Sequence, residues 1–379
     1  MGVGQARIGL DFREGFRENP RGIGLYCRHL LREFTALAPP YDVLLFHERP
    51  TPPHLPPLPP VARPEQIEMR GGRWHLWERL ALPMRLVSEG VDLYHGTYNT
   101  LPPRRPLLGR RRLVVTLHDV LVTWLDEDLD DAFVRYARRI TRRVVRQADA
   151  ILTVSRFSRD DIVERFGADP AKVRIVPNGI HPLFHADAPA ADVERARREH
   201  AGGRPYLFAI GSALRRKNTD VLFPLLRRLA DLGHDEVLVV SGLEGRALED
   251  RRRVARQVGV EDRVAFVGYL DWAELRALMT GAELCVYPSL AEGWGIPVVE
   301  ALACGTPVAT SDRTAMPEAG GDLARYFDPE KLDSIVAACD EALRGRDRFA
   351  RDAARAHARA YSWRRCAEDT LAVYSELLA

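Results

Sequence analysis

Two carboxylates eight positions apart, Glu292 and Glu300, close the ends of the run EGWGIPVVE, and three cations, Arg215, Arg216 and Lys217, cluster in GSALRRKN at 211–218. Carboxylates accept hydrogen bonds from hydroxyl groups, and guanidinium and ammonium groups hold phosphate. The two strings together therefore suit a phosphorylated sugar. LCVYPS (284–289) predicts a buried strand, and PVVEALACG (297–305) a helix with proline in its first turn and glycine past its end. The loop 290–296 then lies at a strand's carboxyl edge, where unpaired N–H groups at a helix start favour phosphate or a sugar's polar edge. Gly293 and Gly295 remove side chains that would block close approach. Glu292 points from the loop, whereas Glu300, a turn into the helix, can accept from vicinal hydroxyls such as those of a ribose. An isolated glutamate pair is more often two solvated charges; the whole string is what carries the reading.

Other segments offer chemistry at strand ends. VVTLHDV places His118 and Asp119 directly after a buried strand, where His118 can hydrogen-bond a sugar or move a proton. His95, ending DLYH, has the same position with less around it. PRGIGLYCRHLL (20–31) puts Gly22 and Gly24 in a turn after the first strand, with a helix expected from Tyr26 onward. A connecting turn explains a lone GxG equally well. The 11 histidines are scattered, so no metal site is expected. Cationic side chains and helix ends must then neutralise a leaving group.

The scaffold for these groups follows from strand and helix alternation. With 379 residues the chain has room for two domains, at about 100–200 residues each. Short apolar strands begin at Arg7, Asp42, Asp92, Leu113, Ala150 and Val173, then at Tyr206, Glu236, Arg263, Leu284, Pro307 and Ala324. Amphipathic helical stretches separate them, which predicts parallel sheets covered on both faces. PNGIHPLFHADAPAAD (177–192) divides the two sets and reads as a hinge, with ligands expected in a cleft at the carboxyl ends of both sheets. The 55 basic and 53 acidic residues leave a formal charge of +2, so nothing global calls for nucleic acid. Cys27, Cys285, Cys304, Cys339 and Cys366 form no CxxC and suit free thiols in a reducing compartment. Neither a signal-peptide core nor a run of about 18 apolar residues is present, so a cytoplasmic protein is expected.

Two segments stand apart. RPTPPHLPPLPPVARP (49–64) predicts an exposed extended connector. The stretch 131–148 predicts an amphipathic helix with Phe133, Ala137, Ile140, Val144 and Ala148 on its packed side and Arg135, Arg138, Arg139, Arg142, Arg143 and Arg146 on the rest. With LPPRRPLLGRRR (101–112) it offers a basic surface for peripheral contact with an anionic membrane that holds a lipid-linked acceptor; a packed helix with a solvated basic face is the alternative.

Taken in order, IGLDFR, GIGLY, WHLWERLALP (74–83), TLHDV, ADAILTVSRFS (148–158), VPNGI, RRKN, FVGYLDWAEL (266–275), the EGWGIPVVE run and MPEAGGDLARYFDP (316–329) resemble the retaining glycosyltransferases of family 4. The resemblance spans most of the chain. It implies the GT-B fold, an α/β architecture of two doubly wound Rossmann-like parallel-sheet domains facing each other across a cleft. The acceptor-side domain would be 1–181 with the terminal helix 362–379 crossing back to it, and the donor-binding domain 182–361. It also implies that Glu292, with the backbone of Gly293, Gly295 and Ile296, contacts the donor sugar and that Glu300 contacts the ribose. Arg216 and Lys217 would bind the donor diphosphate, the loop Gly22–Gly24 would face it, and His118 would lie near the transferred sugar. The implied reaction moves a hexosyl unit, by similarity mannosyl from GDP-mannose, to a saccharide or lipid-linked saccharide in polysaccharide biosynthesis, with no metal and no cofactor beyond the nucleotide-sugar donor. Two departures stand out: Trp294 where many members have Phe, and Ser212 where others have arginine. The alternatives are a GT-B nucleotide-sugar epimerase, a glycan phosphorylase, and a non-catalytic partner that binds nucleotide sugar or glycan. The last should lack a donor-binding residue, yet Glu292, Glu300 and Lys217 are all present.

Overall fold

The computed structural model describes residues 5–17, 22–47, 62–66 (backbone), 77–103, 106–125 and 130–379. They form two compact units, the first reaching Asn178 and taking back Trp363–Ala379, the second being Gly179–Ser362. The chain enters and leaves the second unit side by side, since Ile180 bridges Ser362.

The first unit is built on a sheet of seven parallel strands: β1 (Ala6–Asp11), β2 (Tyr41–His47), β3 (Ala62–Gln66), β4 (Leu93–Gly96), β5 (Arg112–Thr116), β6 (Ala150–Thr153) and β7 (Val173–Ile175). Their order is β3-β2-β1-β4-β5-β6-β7. Successive residues of a strand point to opposite faces, and both faces are covered. Leu45 and Val114 join a core with Phe34 of the helix Ile23–Leu37 and Tyr374 of the helix Trp363–Leu378. Their neighbours Leu44, Phe46, Leu113 and Val115 join the opposite core, with Trp77, Leu86 and Val144.

The second unit repeats the plan with six parallel strands, β8 (Tyr206–Ile210), β9 (Val237–Ser241), β10 (Val264–Val267), β11 (Leu284–Tyr287), β12 (Val308–Ser311) and β13 (Ala324–Phe327), ordered β10-β9-β8-β11-β12-β13. In both sheets the order reverses once, between β1 and β4 and between β8 and β11. At such a reversal the loops leaving neighbouring strands diverge, and the crevice between them is where doubly wound sheets bind ligands.

Three local expectations are corrected. The last three residues of the proline-rich run are not connector: Ala62, Arg63 and Pro64 begin β3, which pairs only with β2 at the sheet's edge. An edge position tolerates the missing proline N–H; residues 48–61 lie outside the described residues. The helix expected from Tyr26 starts at Ile23, so Gly24 is buried in its first turn and Gly22, at φ +48°, caps it. Only Gly22 needs glycine's conformational freedom. Phe133 does not pack: it is 50% exposed, and the buried side of the helix Asp131–Gln147 is Thr141, Val144 and Val145.

Candidate active site

The loops after β8 and β11, the two strands at the reversal of the second sheet, are stitched together. The backbone N–H of Leu290 donates to the carbonyl of Arg216 at 2.7 Å, and the Arg216 guanidinium reaches the Ala291 carbonyl at 3.2 Å. These contacts bring Arg216 and Lys217, 76 and 75 residues away in sequence, onto the carboxylate of Glu292. Glu292 accepts from Arg216 Nη1 at 2.6 Å on one oxygen, and on the other from Lys217 Nζ at 2.5 Å, Tyr287 Oη at 2.9 Å and Ser289 Oγ at 2.8 Å. Lys217 Nζ also donates to Tyr287 Oη at 2.7 Å. The Glu292 N–H donates to Thr314 Oγ1 at 3.0 Å, so the loop backbone is fixed as well.

Charge decides the state of this cluster. Burial alone would push the Glu292 carboxyl up, but Lys217 and Arg216 outweigh it and hold it below the usual carboxylate range. For Lys217 burial works against the charge, yet Tyr287 and Glu292 leave it above the ordinary lysine value. Tyr287 is pushed up to about 12 by burial and by the adjacent Glu292, so it stays a neutral donor. Two cations and one anion remain, which leaves the cluster net positive and receptive to phosphate. Arg215 is exposed, whereas Arg216 is turned onto Glu292.

Glu300 lies in the helix Ile296–Ala303, is 4% exposed, and has no hydrogen-bond or ion-pair partner among the described residues. Burial raises its carboxyl to about 8, so it is largely protonated at neutral pH when nothing is bound. Gly295 caps that helix, and a Cβ there would sit 2.8 Å from Met316 Cε and 2.9 Å from Ala319 Cβ. Its missing side chain is therefore also required by packing. Trp294, 6% exposed, meets the Tyr361 ring edge-on at 5.0 Å, and its indole N–H has no acceptor among the described residues. Sequence reasoning missed Tyr287, Ser289 and Thr314. Tyr287 and Ser289 could have been flagged as polar residues at a strand's carboxyl end, but Thr314 has no local signal.

In the first unit His118 follows β5. Its main-chain N–H donates to Asn99 Oδ1 at 3.0 Å, and Nε2 lies 3.3 Å from the Thr97 carbonyl. A carbonyl only accepts, so Nε2 carries the hydrogen and Nδ1 is left as an acceptor. Burial lowers the ring to about 4, against a smaller upward pull from Thr97, so the imidazole is neutral. That suits accepting a hydrogen bond, and is ill matched to acting as a charged acid at pH 7. His95 is structural: it is 0% exposed, with Nδ1 2.5 Å from Tyr374 Oη and Nε2 2.7 Å from Thr116 Oγ1. Glu199, His200 and Glu274 are the described group of three with metal-ligand atoms close together, within 4.8 Å, and share no residue with the Glu292 cluster.

The glycosyl transferases group 1 family matches residues 191–362, and the glycosyltransferase family 4 domain matches residues 20–182. The chain is a family 4 glycosyltransferase. Among its relatives, the O-antigen chain mannosyltransferase B of Escherichia coli is 28% identical over 75% of this chain and 74% of its own. The MMP alpha-(1->4)-mannosyltransferase of Mycolicibacterium hassiacum is 27% identical over 94% and 95%. The transferase superimposes on sucrose-phosphate synthase of Thermosynechococcus elongatus with a TM-score of 0.78 at 21% identity, covering 98% of this chain and 99% of that one. The fold is GT-B. No helix among the described residues is long and apolar enough to cross a membrane.

Proposed function

We propose that the transferase moves a hexosyl unit, mannosyl first, from a nucleoside-diphosphate sugar to a hydroxyl of a saccharide or lipid-linked saccharide, with retention at the anomeric carbon and without a metal ion. The observation that carries this reading is the convergence of Arg216 and Lys217 on Glu292 where the second sheet reverses. Mannosyl rests on the printed names of both sequence relatives.

In the proposed step the bond from the anomeric carbon to the diphosphate breaks and its electron pair stays on the phosphate oxygen. The acceptor hydroxyl adds to the same face, and its proton passes to that oxygen. Arg216 and Lys217 stabilise the charge developing on the leaving group, a contribution of roughly 3–4 kcal/mol for one well-placed donor. Glu292 is assigned the sugar hydroxyls while sharing the two cations, and Glu300 the ribose. Gly22, Gly24, Gly293, Gly295 and Ile296 are assigned backbone support of the donor, and His118 a hydrogen bond to the transferred sugar through Nδ1. The five buried free thiols fit a reducing compartment, so we place the enzyme in the cytoplasm.

Thermal-shift screening with GDP, UDP, ADP and dTDP sugars identifies the donor, and turnover with that donor tests the roles. Glu292→Ala and Lys217→Ala are expected to suppress transfer while circular dichroism stays native. Unaltered turnover in both would remove the basis of the proposal.

A further inference from the structure

The first unit carries a second concentration of positive charge. The helix Asp131–Gln147 and the π-helical turn Trp77–Ala81 border a concavity of about 700 Å³, lined by Arg79, Arg139, Arg142, Arg143 and Arg146 with Glu78 as the acid among its lining residues. That volume is within the usual range for ligand pockets. Glu78 is already committed: its Oε1 accepts from Arg143 Nη2 at 2.6 Å, and the same guanidinium donates to the Leu101 carbonyl at 2.8 Å. Among the described residues no carboxylate pairs with Arg79, Arg139, Arg142 or Arg146.

Positions 139, 142, 143 and 146 follow the spacing i, i+3, i+4, i+7, so four like charges share one helix face. Each neighbouring pair costs helix stability, and packing does not require it, because Thr141, Val144 and Val145 make the buried contacts. Three buried polar atoms of the lining, Glu78 Oε2, Arg143 Nε and the Gln147 amide oxygen, also lack hydrogen-bond partners among the described residues, and Glu78 Oε2 has the Arg13 guanidinium 3.9 Å away as its counter-charge. Guanidinium forks match phosphate oxygens in pairs, so a phosphate-bearing anion offsets the repulsion and occupies the spare donor together. The apolar residues alongside point to where that phosphate is carried. Leu80, next to Arg79, is 44% exposed, and Met84, four positions on, is 59% exposed. Basic and apolar groups side by side suit a lipid surface.

We propose that this arginine basin binds a phosphate or diphosphate group, carried by an anionic or phosphate-linked lipid or by a soluble phosphate compound.

The test compares the full chain with an Arg142→Ala/Arg146→Ala variant, whose two side chains are exposed and unpaired, so that an unchanged melting temperature certifies the fold. In a Lys217→Ala background, which weakens the donor-side anion site, inorganic pyrophosphate is titrated by calorimetry. In parallel the wild-type chain and its double variant are co-sedimented with phosphatidylglycerol–phosphatidylcholine vesicles and with phosphatidylcholine alone. Binding should weaken by about tenfold or more in the double variant. Loss confined to the anionic vesicles assigns a lipid source, loss confined to pyrophosphate assigns a soluble one, and loss in both supports the shared chemistry. Equal binding by parent and variant in both arms, or none by the parent, overturns the proposal. A thermal shift with nucleotide sugar reports the donor reading separately, since it depends on the Glu292 cluster.

Discussion

Replacing Glu292 by glutamine separates the two roles of that residue. The carboxylate accepts four hydrogen bonds, two of them from cations, at 2.5–2.9 Å. A hydrogen bond with an ionised partner is roughly twice as strong as a neutral one, with a net value of about 1.5–3 kcal/mol. Removing the charge weakens all four, and the glutamine NH₂ must face a donor, Arg216 on one side or Lys217, Tyr287 and Ser289 on the other. Against this, a neutral amide costs less to bury than a carboxylate. The expected balance is a loss of about 2–3 kcal/mol in the unliganded protein, below the roughly 3–5 kcal/mol of a fully buried pair cut in half because Arg216 and Lys217 keep 20% and 21% side-chain exposure. Phosphate can replace the lost counter-charge, so pyrophosphate or the matching nucleoside diphosphate should raise the melting temperature of Glu292→Gln more than that of the wild type. Transfer should meanwhile fall by about a hundredfold or more. The assay is a melting curve with and without the diphosphate, beside a turnover measurement. An unchanged unliganded melting temperature together with an equal or smaller ligand shift would show that Glu292 does not neutralise the two cations.

Glu300 sets a pH dependence: its folded carboxyl, at about 8 against an ordinary 4.5, keeps its proton where the unfolded chain has lost it. Stability should therefore decline by up to about 1.4 kcal/mol per pH unit as pH rises from about 4.5 to about 8, and Glu300→Gln should flatten that slope in urea titrations. Tyr374→Phe leaves His95 Nδ1 without its partner at 0% exposure and should cost about 1–3 kcal/mol, with hydrogen exchange accelerating first in the helix Trp363–Leu378. Gly295→Ala forces a methyl against Met316 and Ala319 and should cost about 1–3 kcal/mol in thermal melts; an unshifted melt would mean the neighbouring helix gives way freely.

How much of this was legible in the sequence differs by level. Strands buried on both faces are short apolar runs, so LCVY and ARYF were placed at the residues they occupy, and β9 was placed to within a residue. β3 escaped because its pairing is dictated by β2, while its own residues, ending a proline-rich run, carry no strand signal. Phe133 was misjudged because periodicity gives a helix's apolar stripe without saying where the stripe runs off the sheet. At the site, residue types announced the chemistry. The partnership of Glu292 with Lys217 and Tyr287 did not, since it depends on two loops meeting across a reversal in strand order that no local pattern encodes. The tautomer of His118, with its hydrogen on Nε2, depends likewise on the Thr97 carbonyl, supplied by the loop after another strand.

The return of Trp363–Ala379 to the first unit imposes an order on biosynthesis. While the ribosome is still making the second unit, one side of the nascent first sheet is covered only in part, for Ile8, Leu30 and Phe34 gain Trp363, Cys366 and Tyr374 as neighbours only when that distant segment emerges. A stalled or prematurely released chain would thus expose a greasy surface that chaperones and proteases recognise, and the half translated first would be the one completed last.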